Sequence, residues 1–370
     1  MEDEFLSKRL QERLDLHLFR SLKIPRKGVI DFCSNDYLGI VRNSLLNGEE
    51  NESSLRILKT GSTGSRLLSG NYELVQDAET KIASFHDAQA ALIFNSGYDA
   101  NVGLLSCVAQ RGDIILYDSL SHASIRDGIR LSFAHSFSFL HNNLEDLEKK
   151  LANPDHHGKN VFIVTETLFS MDGDFAPLNE IVRICKKYEA YLIVDEAHAT
   201  GVVGQNGEGL VQHLQLQRHC FARMHTFGKA LGVHGAVILG SDRLRHYLVN
   251  FCRTFIYTTA LPGKTVADIV NAYTVFPQLK EERKMLKTLA EVFQTLSCKF
   301  QKLSSTSPIQ GIIIPGNEEA RAVAEILQKN YFDIRPILYP SVPRGSERLR
   351  IILHAFNTVE QVIQLEELLG

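Results

Sequence analysis

Between residues 73 and 240 short apolar runs alternate with longer segments whose apolar residues recur every three or four positions, and this alternation constrains the fold most. The runs read as strands at 90–94, 113–117, 136–140, 160–166, 191–195, near 221–227 and at 235–240. The intervening segments read as helices at 73–86, 99–109, 122–131, 143–151 and 178–188. Short strands that are apolar on both faces and separated by helices imply a mostly parallel sheet covered by helices. The expected fold class is α/β.

The two ends of the chain follow other patterns. Residues 1 to about 22 read as an amphipathic helix with Leu6, Leu10, Leu14 and Leu18 on one face. Ile24-Pro25-Arg26-Lys27-Gly28 breaks it, and a short strand from Val29 to Cys33 follows. After Pro262 a helical stretch (about 263–302) leads to strands near 309–314 and 347–353 and helices near 317–329 and 358–369. The expected organisation is an N-terminal segment (1–45), a large α/β domain (46–262) and a smaller α+β domain (263–370).

Composition excludes several classes of function. The 370 residues are 44% hydrophobic and 22% charged with a net charge of -3, so no basic field points to nucleic acid. Six scattered cysteines, without a Cys-x-x-Cys pair, fit reduced thiols rather than disulfides or a zinc knuckle. No histidine pair at ligand spacing has a third ligand beside it, so no metal is expected. The N-terminus is acidic where a secretory leader is basic, and no apolar run reaches the roughly 20 residues of a membrane span. A cytoplasmic protein without membrane contact is expected.

The chemistry concentrates between Tyr191 and Val233. The apolar run Tyr191-Leu192-Ile193-Val194 ends in Asp195, and His198 follows three residues later. Lys229 stands in Thr226-Phe227-Gly228-Lys229-Ala230-Leu231-Gly232, among apolar residues that would not be exposed together around a charge. Burial favours the neutral amine that attacks an aldehyde. A carboxylate at a strand end and a sheltered lysine are what pyridoxal phosphate requires: the acid keeps the pyridine nitrogen protonated, and the lysine carries the cofactor as an imine. At Asp195 the bland alternative is a helix cap; His198 either donates to the cofactor's phenolic oxygen or packs in the turn.

Other strand ends supply further candidates, because ligands of open parallel sheets sit at the carboxyl edge. Asn95-Ser96-Gly97-Tyr98-Asp99 opens a helix whose backbone N–H groups can hold a phosphate, and Gly97 permits close approach. Thr226 can add a hydroxyl to that phosphate. His122 either stacks on a ring or begins a helix, and Ser170 follows the strand ending at Glu166. Arg348 and Arg350 alternate along one strand and so face one side. One of them can fork onto a carboxylate, or both can decorate a charged edge strand.

Two competing readings fare worse. Asp195-Glu196-Ala197-His198 also spells a helicase box, and Gly263-Lys264-Thr265 imitates a phosphate loop. Thr258 stands where that loop's first glycine belongs, and the order of the two motifs is reversed. A catalytically inactive binding protein of the same fold is opposed by intact Lys229, Asp195, His198 and His122.

The chain resembles the α-oxoamine synthases, pyridoxal phosphate enzymes of the aspartate aminotransferase fold (fold type I), from about residue 15 to the end. The carrying segments run Phe32 to Gly39, Gly64 to Asn71, Ser121 to Ser124, Phe169 to Asp174, Asp195 to Gly201 and Thr226 to Lys229. The resemblance implies a large, mostly parallel sheet domain, a smaller C-terminal α+β domain, and a homodimer with active sites at its interface. It makes Lys229 the imine lysine and Asp195 the pyridinium partner, with His198 and Ser170 near the phenolic oxygen and His122 over the ring. Gly97, Tyr98 and Thr226 would hold the phosphate, with Thr258 and Thr259 contributed by the second subunit. Arg350 would anchor the substrate carboxylate, with Arg20, Asn35, His122 and Ser341 at substrate-contact positions.

The implied reaction is decarboxylative condensation of a small amino acid with an acyl thioester on coenzyme A or acyl carrier protein. Ala199-Thr200-Gly201, and Gly235-Ala236-Val237-Ile238 after the lysine motif, resemble the biotin-pathway branch. That branch joins L-alanine to a pimeloyl thioester; branches using glycine or serine are the alternatives. Two features depart from the family pattern. The stretch from Arg20 to Asp31 is shorter than in many relatives, and Pro262-Gly263 replaces a Pro-Pro pair.

Overall fold

The computed structural model describes residues 3–16, 18–22, 24, 26–47 and 60–370. The chain divides into two compact units. The larger comprises Asp36–Ser170 and Phe175–Arg283; the smaller comprises residues up to Asn35, Met171–Asp174 and Lys284–Gly370. After a two-residue strand β1 (Ile30–Asp31), the chain builds the larger unit's sheet from β2 (Ala90–Phe94), β3 (Ile114–Asp118), β4 (His135–Phe139), β5 (Val161–Glu166), β6 (Tyr191–Asp195), β7 (Ala222–Thr226) and β8 (Ala236–Gly240).

The strand order is β2-β8-β7-β6-β5-β3-β4. Neighbours from β7 to β4 are parallel, while β8 runs antiparallel to both β7 and β2. The α/β expectation, with a mostly parallel sheet, therefore holds. From β3 the chain steps outward to β4, then returns to β5 on the other side of β3. Such a reversal opens a crevice at the carboxyl edge of the sheet.

Strand periodicity sorts the core into two layers. Phe162, Val164, Ile193 and Met224 pack in one cluster with Ala100, Leu104 and Leu105 of helix Gly97–Val108. Their strand neighbours Val161, Ile163, Leu192 and Val194 pack in another with Leu178, Ile181 and Val182 of helix Leu178–Tyr188. Alternate side chains point to opposite faces, so one strand feeds both layers. Strand β4 departs from the expected two-sided burial. It is the edge strand, and His135, Ser136, Phe137 and Ser138 are exposed.

The smaller unit has a four-stranded antiparallel sheet of order β12-β13-β10-β9, formed by β9 (Gln301–Lys302), β10 (Ile309–Ile313), β12 (Arg335–Ile337) and β13 (Arg348–Ile352). A short strand β11 (Phe332–Asp333) pairs in parallel with β1. Ile312, Leu349 and Ile351 pack with Leu327 of helix Asn317–Lys329 and with Val362 and Leu365 of helix Val359–Glu367. A capping box at Thr358 and Gln361 starts that last helix.

Three expected boundaries move. Helix Gly263–Val275 belongs to the larger unit rather than to the C-terminal domain. It buries Val266, Ile269, Ala272 and Tyr273, and the Tyr273 hydroxyl lies 3.0 Å from His86 Nε2. The helical stretch beyond it breaks at Phe276–Gln278, where Pro277 has no N–H for the ladder, and resumes at Lys280–Thr295. The N-terminal helix covers only Glu4–Asp15 and buries no residue, so Leu6, Leu10 and Leu14 form an exposed stripe. Among the described residues no helix is long and apolar enough to cross a membrane.

Candidate active site

The larger unit's site follows from strand parity. Glu166 and Asp195 end β5 and β6 as register partners, and Asp195 pairs with Met224 on β7. Two-residue alternation puts Glu166, Asp195 and Thr226 on the face of Val164, Ile193 and Met224, which helix Gly97–Val108 covers. A cavity of about 150 Å³ opens there, lined by Gly97, Tyr98, Asn101, His122, Ser124, Glu166, Asp195, Ala197, His198, Met224, Thr226 and Lys229.

Asp195 is buried, with both carboxylate oxygens engaged. Asn101 Nδ2 donates to Oδ2 at 2.7 Å, and the Ala197 N–H donates to Oδ1 at 2.8 Å. Asn101 Nδ2 also lies 3.0 Å from Ser124 Oγ. These two donors fix the direction of the carboxylate. It caps no helix, which removes the bland alternative.

Lys229 sits in the tight connection from β7 to β8. Phe227 and Gly235 share a backbone hydrogen bond of 2.9 Å, and the Lys229 carbonyl accepts from Gly232 N at 2.9 Å. Phe227, Ala230 and Leu231 are buried as expected, but Lys229 itself is only half-buried because it faces the cavity. Its Nζ lies 2.7 Å from His198 Nε2, and His198 Nδ1 lies 2.7 Å from the Tyr37 hydroxyl. Amine, imidazole and phenol thus form one hydrogen-bonded row.

His122 caps helix Ala123–Leu131, its Nδ1 accepting from Ser124 N at 3.2 Å, while its own N–H donates to Glu166 Oε1 at 2.6 Å. It therefore both begins a helix and lines the cavity. Desolvation lowers its pKa below the ordinary histidine value; Asp195 opposes that shift and Lys229 adds to it. Burial raises the Glu166 pKa to about 8, helped by Asp195 and Asp118 and opposed by the His122 N–H and Lys229. Glu166 is accordingly mostly protonated near neutrality.

Helix Gly97–Val108 starts at Ser96, whose side chain accepts from Asp99 N at 3.1 Å. A helix start leaves backbone N–H groups for an anion. A Cβ at residue 97 would lie 3.3 Å from Thr226 Oγ1, so glycine keeps this corner open. The Tyr98 hydroxyl donates to Asp127 Oδ2 at 2.7 Å, which leaves its backbone to the cavity.

Not every expected residue lies here. Ser170 is not among the cavity's lining residues. Thr258 Oγ1 and the Thr259 carbonyl each accept from Asn95 Nδ2 at 2.9 Å, outside the cavity lining. In the smaller unit Arg350 Nη2 donates to Asn35 Oδ1 at 3.1 Å, whereas buried Arg348 pairs with Asp172. Strand β13 is internal to its sheet, so neither arginine decorates an edge. Arg20 and Ser341 line a separate cleft in that unit.

Asn101, Glu166 and Tyr37 were not singled out from sequence. For Asn101 a signal existed: it is a polar residue one turn after Gly97, within the otherwise apolar stretch from Ala100 to Leu105.

These residues fit pyridoxal phosphate. The oriented carboxylate suits a pyridinium nitrogen, the amine suits an aldehyde, and the open helix start beside Thr226 suits a phosphate. The family model for aminotransferases of class I and II matches residues 27–366. An 8-amino-7-oxononanoate synthase of Emericella nidulans is 40% identical, covering 98% of this chain and 93% of its own length. That of Cellvibrio japonicus is 35% identical over 100% of this chain and 95% of its own. Among solved structures, a serine palmitoyltransferase of Sphingomonas wittichii superposes with a TM-score of 0.88 at 28% identity, covering 99% of this chain and 96% of its own. The 8-amino-7-oxononanoate synthase of Francisella tularensis gives 0.80 at 29%, covering 93% and 97%.

The chain belongs to the class I and II aminotransferase family, within the pyridoxal phosphate enzymes of fold type I. Its cofactor is pyridoxal 5'-phosphate, and it is a transferase.

Proposed function

We propose that this enzyme condenses L-alanine with a pimeloyl thioester to give 8-amino-7-oxononanoate, carbon dioxide and the free thiol, in biotin biosynthesis. The observation that carries the reading is the Lys229–His198–Tyr37 row in the cavity that Asp195 lines. Relatives bearing that product's name, at 35–40% identity over nearly the whole chain, support the choice of substrates. The serine palmitoyltransferases have the higher TM-scores but lower identity. Backbone likeness reports the shared fold rather than the acyl chain.

Bound pyridoxal phosphate supplies an electron sink for charge developing at the amino acid's α-carbon. Asp195 keeps its charge against the ring nitrogen, and Asn101 and the Ala197 N–H hold it in place. Lys229 removes the α-proton as general base. His198 passes a proton along the row in either sense, because its two nitrogens contact Lys229 and Tyr37. His122 would stack on the ring and assist thioester polarisation or the later decarboxylation, and Ser170 would serve the phenolic oxygen. Gly97, Tyr98 and Thr226 take the phosphate, with Thr258 and Thr259 from a second subunit. Arg350 and Asn35 hold the amino acid's carboxylate.

The test is thiol release by the holoenzyme with alanine, glycine or serine against acyl donors of several lengths. Alanine with a pimeloyl donor is expected to be fastest. Preference for serine with a long-chain donor would overturn the reading. Sedimentation tests the second subunit: a fully active monomer removes Thr258 and Thr259 from the site.

A further inference from the structure

Helices Gly97–Val108 and Ala123–Leu131 of the larger unit meet where Gly128 faces Asn101. A Cβ at residue 128 would lie 2.9 Å from the Asn101 carbonyl oxygen and 3.0 Å from Val102 Cα, so glycine sets the spacing. Ser124 lies one turn earlier on the same helix face and comes within 3.0 Å of Asn101 Nδ2. Both side chains are buried, so where each proton points follows from donor and acceptor valence rather than from water.

A carboxylate oxygen accepts, so the Asn101 amide turns its nitrogen to Asp195, 2.7 Å from Oδ2. The second N–H of that amide points at Ser124 Oγ. The hydroxyl then gives its own proton to His122 Nδ1, 2.8 Å away. The Ser124 backbone N–H, one of the donors a helix start leaves over, aims at the same nitrogen from 3.2 Å. Two donors on Nδ1 exclude a proton there, so the neutral ring carries it on Nε2. Desolvation lowers the His122 pKa, which keeps that neutral form dominant near pH 7. Among the described residues both hydrogen bonds to the ring fall on Nδ1, and Nε2 is left to the cavity that His122 lines.

We propose that Ser124 is a positioning residue: its hydroxyl, turned by Asn101, fixes His122 in the tautomer that presents an Nε2–H donor to the substrate. The proposal rests on the acyl-transfer reading above and adds to it the form in which His122 acts. With Nδ1 occupied, the ring can stabilise charge on an oxygen but cannot take up a proton. The thioester carbonyl oxygen gathers negative charge as the carbon–carbon bond forms. The same oxygen, by then a ketone's, gathers it again as carbon dioxide leaves. One fixed donor thus serves both steps.

Holoenzyme with isotope-labelled histidine is examined by solid-state NMR at neutral pH, and His122→Gln identifies the ring-nitrogen signals of His122. The wild type is expected to show a protonated Nε2 and an unprotonated, hydrogen-bonded Nδ1. Ser124→Ala keeps the backbone N–H and removes the hydroxyl, so the Nδ1 signal should move toward that of a weakly bonded acceptor. The charged and titratable groups that face the ring, Asp195, Lys229, Asp127 and Glu166, stay in place. The His122 pKa should therefore rise by about one pH unit, the scale of one lost hydrogen bond to the neutral form. Thiol release should slow about tenfold in kcat. A proton on Nδ1 in the wild type overturns the proposal, as does an Nδ1 signal unmoved in Ser124→Ala.

If the wild type releases thiol from no acyl donor, the acyl-transfer reading fails instead. The ring-nitrogen signals still decide the tautomer, because they are read without a donor. The wild-type spectrum does so by itself, whatever the stability of the variant.

Discussion

Glu166 and Asp195 stand side by side as register partners at the ends of parallel strands β5 and β6, both buried in one cavity floor. Two carboxyls this close, away from water, do not both ionise readily. The burden falls on Glu166, whose pKa rises to about 8 from an ordinary 4.5. Between those values the folded chain holds a proton that the unfolded chain releases, so stability falls as pH rises. Glu166→Gln mimics the protonated form. In cofactor-free protein, thermal unfolding of the wild type should lose midpoint from about pH 6 to about pH 8.5, and the variant should lose less. Parallel profiles for the two proteins would show that Glu166 ionises normally.

Asn101 reaches Asp195 Oδ2 at 2.7 Å from within helix Gly97–Val108. Hydrogen bonds to charged groups contribute about 1.5–3 kcal/mol. Asn101→Ala should therefore weaken cofactor binding by about ten- to a hundredfold, read from fluorescence titration of the apoprotein. Asp195→Asn should do more harm, because it removes the charge itself and sets an amide against the Asn101 amide. Turnover is expected to fall by several orders of magnitude while the unfolding midpoint stays near that of the wild type.

How much of this was legible in the sequence depends on the range of each interaction. Strands β2 to β8 were readable because their alternation is local, as was the pairing of Asp195 with Lys229 as a chemical type. Strands β9, β11 and β12 have two or three residues, too few to show a period. The unit boundary was hidden because Pro262, which looks like a linker, starts a helix that packs beside His86. Tyr37 carried no local sign of its role, since its partner His198 is remote in sequence. Arg348 and Arg350 were indistinguishable by alternation, because the contacts that separate them, Asp172 for one and Asn35 for the other, are remote in sequence.

Gly97 leaves room at the helix start. A Cβ there would sit 3.3 Å from Thr226 Oγ1 and 3.4 Å from Thr226 Cβ, a tight but survivable contact. Alanine is the better helix former by about 0.5–1 kcal/mol, so Gly97→Ala should leave stability close to that of the wild type. The added methyl occupies the corner assigned to the phosphate, so cofactor affinity should drop. A variant that binds pyridoxal phosphate as tightly as the wild type would move the phosphate elsewhere.

Lys229 is the group on which the chemistry depends most. Lys229→Ala should abolish thiol release, and borohydride treatment of the wild-type holoenzyme followed by peptide mapping should label Lys229. His198 would keep its Tyr37 contact in the variant, so the unfolding midpoint should change little. A near-normal rate in Lys229→Ala would exclude this amine as the base.

The two arginines of β13 should separate cleanly. Arg348 is buried, pairs with Asp172 and donates from Nε to the Ser346 carbonyl at 3.0 Å. Removing one partner of a buried pair costs about 3–5 kcal/mol, so Arg348→Ala should lower the denaturation midpoint sharply. Arg350 is half-buried and donates to Asn35 Oδ1 at 3.1 Å, a neutral contact that a substrate carboxylate can compete with. Arg350→Ala should keep most of the stability and raise the alanine KM by about tenfold or more, the scale of a lost charge-assisted hydrogen bond. Denaturant titration and steady-state kinetics on the two variants decide the matter. If Arg348→Ala raises the alanine KM and Arg350→Ala only destabilises, the carboxylate anchor has been assigned to the wrong side chain.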